Sequence, residues 1–88
     1  MELSERFIRQ LESEGYESVY EWQDKPEAIY EEHSHESKTS LYVTDGEVTF
    51  AVDGKEKKLK AGDRLDLPAG SLHSAVVGPK GCIMVIGE

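Results

Sequence analysis

The sequence predicts an all-β sandwich or barrel standing behind one short N-terminal helix. Three observations lead there. The chain has 88 residues, which suits one small core. Helical spacing of apolar residues occurs once, at the start. After Gly15 the pattern changes to short apolar or alternating segments, separated at regular intervals by Gly, Pro and Asp, as expected of many short strands.

The helix is expected over Ser4 to Glu14. Ser4 is the candidate N-cap, Glu5 suits the positive end of the first turn, and Gly15 suits the stop. Leu3, Phe7, Ile8 and Leu11 form its apolar stripe, about two turns long, which fits packing on the rest of the domain. This divides the chain into a helical part, residues 1–15, and a β-barrel, residues 16–88, in one domain.

Tyr16 to Trp22 opens the strands, with Gln23-Asp24-Lys25-Pro26 as a turn. Glu27 to His35 and Ser40 to Thr44 follow. Asp45-Gly46 and Asp53-Gly54 read as tight turns on either side of Glu47 to Val52, because both pairs favour positive φ. Within that segment Val48, Phe50 and Val52 share one face and Thr49 and Ala51 the other. Lys55 to Leu59, Arg64 to Leu67, Leu72 to Val77 and Cys82 to Ile86 complete the set. Ala61-Gly62-Asp63, Pro68-Ala69-Gly70 and Gly78-Pro79-Lys80-Gly81 are the breaks between them. The last strand is apolar on both faces, so one face needs covering by the helix, a neighbouring strand or a second subunit. A homodimer is the expectation.

Charge excludes some partners. Eighteen acidic residues against ten basic ones give a net charge of −8, so neither a nucleic-acid backbone nor an anionic membrane surface is an expected partner. Cys82 is the single cysteine, which allows no internal disulfide and fits a reducing compartment. The first residues, Met1 to Arg6, are too polar for a signal peptide, and no apolar run is long enough to span a bilayer. A cytoplasmic protein is expected.

All three histidines fall in two short motifs. His33 and His35 form an H-x-H pair and project from one strand face. His73 closes the run from Gly62 and shares its parity with Ala75 and Val77. If the register continues without a bulge, Thr39, Leu41 and Val43 follow on the face of His33 and His35, and with Phe50 they would line a pocket. Converging imidazoles can hold an ion and leave coordination positions open. Each histidine alone is more simply a polar residue on a small domain; the trio is the signal. Glu31 shares the face of His33 and Glu36 adjoins His35, and either carboxylate could join the ligands, although both suit a solvated surface. Tyr42, Lys38 and Arg64 could reach a substrate at the mouth, with exposure as the simpler reading. Asp63 suits a turn held by backbone hydrogen bonds, Asp66 a solvent-facing position, and Cys82 a small buried hydrophobe.

Residues 27–86 resemble a single-domain cupin, a jelly-roll barrel or double-stranded β-helix. The first motif of that family is represented by His33-x-His35 and Gly46. The second is represented by Gly62-Asp63 and Pro68-x-Gly70-x-x-His73, and it is the more specific. The resemblance implies that His33, His35 and His73 ligate a divalent transition metal. It carries over no carboxylate, because the family's glutamate falls at Thr39. The family's opening glycine falls at Glu27, and its closing asparagine at Val77. Three nitrogens suit Zn²⁺, Fe²⁺, Ni²⁺ or Cu²⁺ better than Mn²⁺. The resemblance implies a small-molecule ligand or substrate. Three functions stay open: a metal-dependent enzyme, a non-catalytic binding or sensor barrel, and a structural dimer with a degenerate site.

Overall fold

The computed structural model describes residues 3–88. Met1 and Glu2, the first residues of the expected helical part, lie outside that range. One helix, α1 (Leu3–Ser13), precedes six strands: β1 (Val19–Asp24), β2 (Ile29–His33), β3 (Thr39–Val52), β4 (Lys55–Lys60), β5 (Arg64–Leu67) and β6 (His73–Gly87). The jelly-roll expectation holds. Ser4 does not cap the helix, which already includes Leu3; its hydroxyl instead donates to the Glu21 carboxylate at 2.7 Å. Gly15, at φ 96, ends the helical path as expected.

Two long strands organise the barrel. The first half of β3 pairs with β5 and with the second half of β6, through Leu41↔Ile86 and Leu41↔Leu65. The second half of β3 pairs with β4 and with the first half of β6, through Val48↔Leu59 and Phe50↔Ala75. β1 adds to the end of β6 and β2 to its beginning, all antiparallel. Both strands therefore pass from one layer to the other. Leu41, Val43, Leu65, Leu67 and Met84 meet Val48, Phe50, Leu59, Ala75 and Val77 in a single buried cluster.

This crossing overturns two expectations. Asp45-Gly46 is not a hairpin turn, and Gly78 to Gly81 is not a break. Both lie inside continuous strands, where the pairing register shifts between Val43 and Asp45 and between Gly46 and Val48. Such bulges bend a strand without ending it. The bend is tight: a Cβ on Gly46 would fall 2.0 Å from the Gly81 carbonyl oxygen. Glycine at φ 72 is therefore required by the close approach of two backbones. The Asp53-Gly54 expectation holds. Both residues take positive φ, 49 and 84, and join β3 to β4 as a two-residue hairpin.

A third expectation shifts. Gln23 and Asp24 belong to β1 rather than to the following turn, and Asp24 is 8% exposed. The turn follows it, with Glu27 at φ 61. That left-handed conformation explains why a glycine would suit position 27.

The outer face of the second half of β6 is covered within the chain. Val85 and Leu11 are both fully buried, and α1 packs on this side. Phe7 stacks on Tyr42 with centroids 3.8 Å apart. Arg64 donates two hydrogen bonds of 2.7 Å to the Glu14 carboxylate. A second subunit is not needed to cover Val85. Arg64 and Tyr42 are thus occupied with the helix, and Lys38 lies over the Tyr16 ring.

Candidate metal centre

Sequence neighbours, a strand pair and one loop contact bring the three histidines together. His33 is the last residue of β2 and His73 the first of β6, and they face each other in register. His35 lies beyond β2, where strand parity no longer positions it. Its carbonyl accepts a 2.9 Å hydrogen bond from Gly70 N–H, so the glycine of the Pro68-Ala69-Gly70 turn anchors the His35 loop. Ring centroids are 4.3 Å apart for His33 and His73, 5.0 Å for His35 and His73, and 5.1 Å for His33 and His35. One nitrogen from each ring lies within 4.8 Å of the others.

Two of the rings have their tautomer set by the backbone. His33 Nδ1 donates to the Glu31 carbonyl at 2.7 Å, and His73 Nδ1 donates to the Ser71 carbonyl at 3.3 Å. A carbonyl only accepts, so in the neutral ring the proton sits on Nδ1 and the Nε2 lone pair is free. This is how ligating histidines are commonly oriented. The donor set fits a divalent transition ion.

Burial is uneven. His73 is 3% exposed, whereas His33 and His35 are exposed. Burial lowers the His73 pKa below its usual value, helped by the neighbouring His33 and His35 and opposed by the bond to Ser71. The neutral, metal-competent form is favoured. The cluster is buried on the Phe50 and His73 side and open to solvent on the other.

The histidines line a cavity of about 230 Å³. Thr39, Leu41 and Phe50 are among the residues that line it. Val43 does not. It is fully buried and belongs to the core cluster, because the cavity stops short of the bend that follows it. Glu31 and Glu36 are exposed and do not join the group of close ligand atoms. Asp63 accepts from Lys60 N–H at 2.9 Å and holds its turn. Asp66 is solvent-facing, with Ser40 Oγ and Arg64 as donors. Cys82 is buried, and burial pushes its thiol up to about 11, with Asp24 adding to the rise.

Sequence reasoning missed one wall of the cavity. Tyr20, Trp22 and Asp24 from β1 and Tyr30 from β2 line it too. Trp22 Nε1 donates to Asp24 Oδ1 at 3.0 Å and to the Tyr30 hydroxyl at 3.2 Å, and Tyr30 donates to the same carboxylate. The network ties together β1 and β2, each of which takes its ladder from β6. Positions 20, 22 and 24 alternate, so parity could have found them had Asp24 been kept in the strand.

A jelly-roll barrel with histidines at the mouth of its cavity defines the class, and comparison with known proteins agrees. A family model for a cupin domain matches residues 20–85. The chain belongs to the cupin family. It is 38% identical over 74 residues to acireductone dioxygenase of Yarrowia lipolytica (strain CLIB 122 / E 150), covering 78% of this chain and 42% of that protein. It is 36% identical over 64 residues to acireductone dioxygenase of Macaca mulatta, covering 67% of this chain and 36% of that one. The chain thus spans less than half the length of these relatives. Among solved structures, an RmlC-like cupin from Shewanella frigidimarina NCIMB 400 superimposes with a TM-score of 0.71 at 32% identity, over 77% of this chain and 60% of that one. Bacillus subtilis oxalate decarboxylase (W96Y) shares the fold, with a TM-score of 0.72 at 23% identity over 92% of this chain and 23% of that one. No helix among the described residues is long and apolar enough to cross a membrane.

Proposed function

We propose that this chain is a metal-dependent cupin that acts on a small molecule through His33, His35 and His73. The observation that carries the reading is the convergence of the three rings with two Nε2 lone pairs freed by backbone bonds. When bound, a divalent ion would supply oxygen activation if it is Fe²⁺, or Lewis-acid polarisation if it is Zn²⁺ or Ni²⁺. The chain's own part is to hold the ion, keep His73 neutral and exclude water with Leu41, Phe50, Leu67 and Met84. The relatives are named acireductone dioxygenases, which favours oxygen chemistry. Adding an acireductone to Fe²⁺-loaded protein in an oxygen electrode tests this directly. Uptake above that of Fe²⁺ in buffer supports a dioxygenase, and none removes that substrate.

A second reading is a binding or sensor barrel without turnover. It is favoured by Thr39 at the position of the family's glutamate and by the absence of Glu31 and Glu36 from the cluster. A bound small molecule recovered unchanged after incubation with the metal-loaded protein supports it.

We propose one domain, residues 1–88, working in the cytoplasm, in keeping with a single buried cysteine. Association of two copies is proposed on new grounds. Ile29 and Val76 pair in register on β2 and β6 and are 71% and 51% exposed. Sedimentation of wild type beside Ile29→Lys tests it.

A further inference from the structure

We infer that Tyr20 and Trp22 form a stacking wall beside the histidines and that the ligand of this cavity carries a flat apolar ring next to its metal-binding group, an inference that rests on the metal-site reading above. Trp22 is the single tryptophan of the chain. It is 48% exposed and Tyr20 is 37% exposed, yet both line the cavity that the histidines line. They alternate on β1, so both rings stand on one face of that strand. The Trp22 ring is nevertheless fixed. Its Nε1 donates to Asp24 Oδ1 at 3.0 Å and to the Tyr30 hydroxyl at 3.2 Å, and Asp24 is nearly buried. A tryptophan held by its edge while its surface stays half open is ordered before anything binds. Little rotamer freedom is then lost when its face is covered.

The register places this wall next to the histidines. Tyr30 pairs with Ala75, and two residues back along β6 His73 pairs with His33. Tyr30 is therefore about 7 Å from the histidine pair along the strand. Trp22 is bonded to that Tyr30 across the gap between β1 and β2, and His33 on the same side is exposed. A ring lying on Trp22 thus leaves its substituent within reach of an ion held by the histidines. The chemistry of the wall suits an apolar ring better than a sugar. Trp22, Asp24 and Tyr30 spend their polar atoms on one another, and Asp24 Oδ2 faces the Cys82 thiol at 3.9 Å. Glu88 also lines the cavity but is exposed. Sugar hydroxyls would find few partners here. Ile86 and Met84, which pair with Tyr20 and Trp22, continue the apolar lining. The volume of about 230 Å³ admits one ring with a chelating group. A second copy of the chain is a different occupant, and its proposed contact lies elsewhere. Ile29 and Val76 alternate with Tyr30 and Ala75, so they face away from this wall.

The test uses the full chain loaded with Co²⁺, whose visible spectrum reports ligands at the ion. Two probes bind a metal through the same hydroxamate group: benzohydroxamate carries a flat ring, and acetohydroxamate carries a methyl group. Each affinity is divided by that of the same probe for Co²⁺ free in the same buffer. The inference expects this ratio to favour benzohydroxamate about tenfold in wild type. Trp22→Ala should cut that preference about fivefold. Tyr20→Ala, which leaves the Trp22, Asp24 and Tyr30 network whole, should cut it about threefold. Trp22→Phe keeps a ring face without the donor and should retain most of it. Acetohydroxamate should bind all four proteins alike. Equal ratios for the two probes in wild type overturn the inference. So does a preference unchanged in either alanine variant, or one lost as fully in Trp22→Phe as in Trp22→Ala, which would make the hydrogen-bonded brace responsible. A shift from dimer to monomer in Trp22→Ala by sedimentation also overturns it, by giving the wall to a second copy. Should Trp22→Ala fail to take up Co²⁺, Tyr20→Ala and Trp22→Phe decide in its place. Failure of the wild-type chain to take up Co²⁺ overturns the metal-site reading as well, whereas failure of the probe results alone overturns this inference and leaves that reading standing.

Discussion

Individual residues set what the site can do and under which conditions. Burial lowers the His73 pKa, so the folded chain resists a proton that the unfolded chain accepts near pH 6.5. Above that pH both states are neutral and the effect vanishes. As pH falls below about 6.5, the unfolded state binds more protons and stability declines until the folded pKa is passed. Metal affinity should fall over the same range, because the ion competes with protons. Melting temperature and Zn²⁺ affinity measured from pH 8 to 5 check both trends, and flat profiles would contradict the role given to His73. Gly46 is a second residue with a large predicted effect. Its Cβ position lies 2.0 Å from a backbone oxygen, and its φ is positive. Gly46→Ala should cost about 3 kcal/mol or more, or prevent folding, by forcing β3 and β6 apart at the bend. Denaturant unfolding reads it.

At the scale of elements, the helix is held by the buried Leu11, the Phe7–Tyr42 stack, the Ser4–Glu21 hydrogen bond and, just past its end, the forked Arg64–Glu14 ion pair. Leu11 is fully buried, so Leu11→Ala should cost about 2–5 kcal/mol. Arg64 holds the Glu14 carboxyl near 2, well below the usual value of 4.5. A lowered acid pKa stabilises the fold above about 4.5 and loses that contribution as pH falls toward 2. Helix docking should therefore loosen first in acid. Amide exchange along α1 at pH 3 against pH 6 checks this, with Glu14→Gln removing the difference. Elements also show what was legible in the sequence. The helix, the Asp53-Gly54 hairpin and the alternation of Val48, Phe50 and Val52 follow from local pattern, and each stands in the fold. Asp45-Gly46 and Gly78 to Gly81 carry the same turn chemistry, yet non-local pairing of β3 with β6 absorbs them as bulges. Local propensity cannot distinguish a turn from a corner that two strands take together. The two histidine motifs were legible as a trio. The route by which His35 arrives, through Gly70 N–H, was not, because it depends on a contact across the chain.

For the whole molecule, the long strands β3 and β6 make two layers from one sheet and leave the cavity between them. The histidines stand where β2 meets β6, and the Trp22, Asp24 and Tyr30 network ties β1 to β2 across another wall. Acidic charge covers the outside and no lysine or arginine is among the cavity's lining residues. The three histidines thus stand together at a cavity that opens to solvent. The central claim is that His33, His35 and His73 hold one ion. Elemental analysis of the chain purified without a metal-binding tag, beside His33→Ala and His73→Ala, tests it most directly. About one first-row transition metal per wild-type chain, lost in both variants, is the predicted result. Equal metal in all three proteins, or none in wild type even after Fe²⁺, Zn²⁺ and Ni²⁺ are offered, would contradict it.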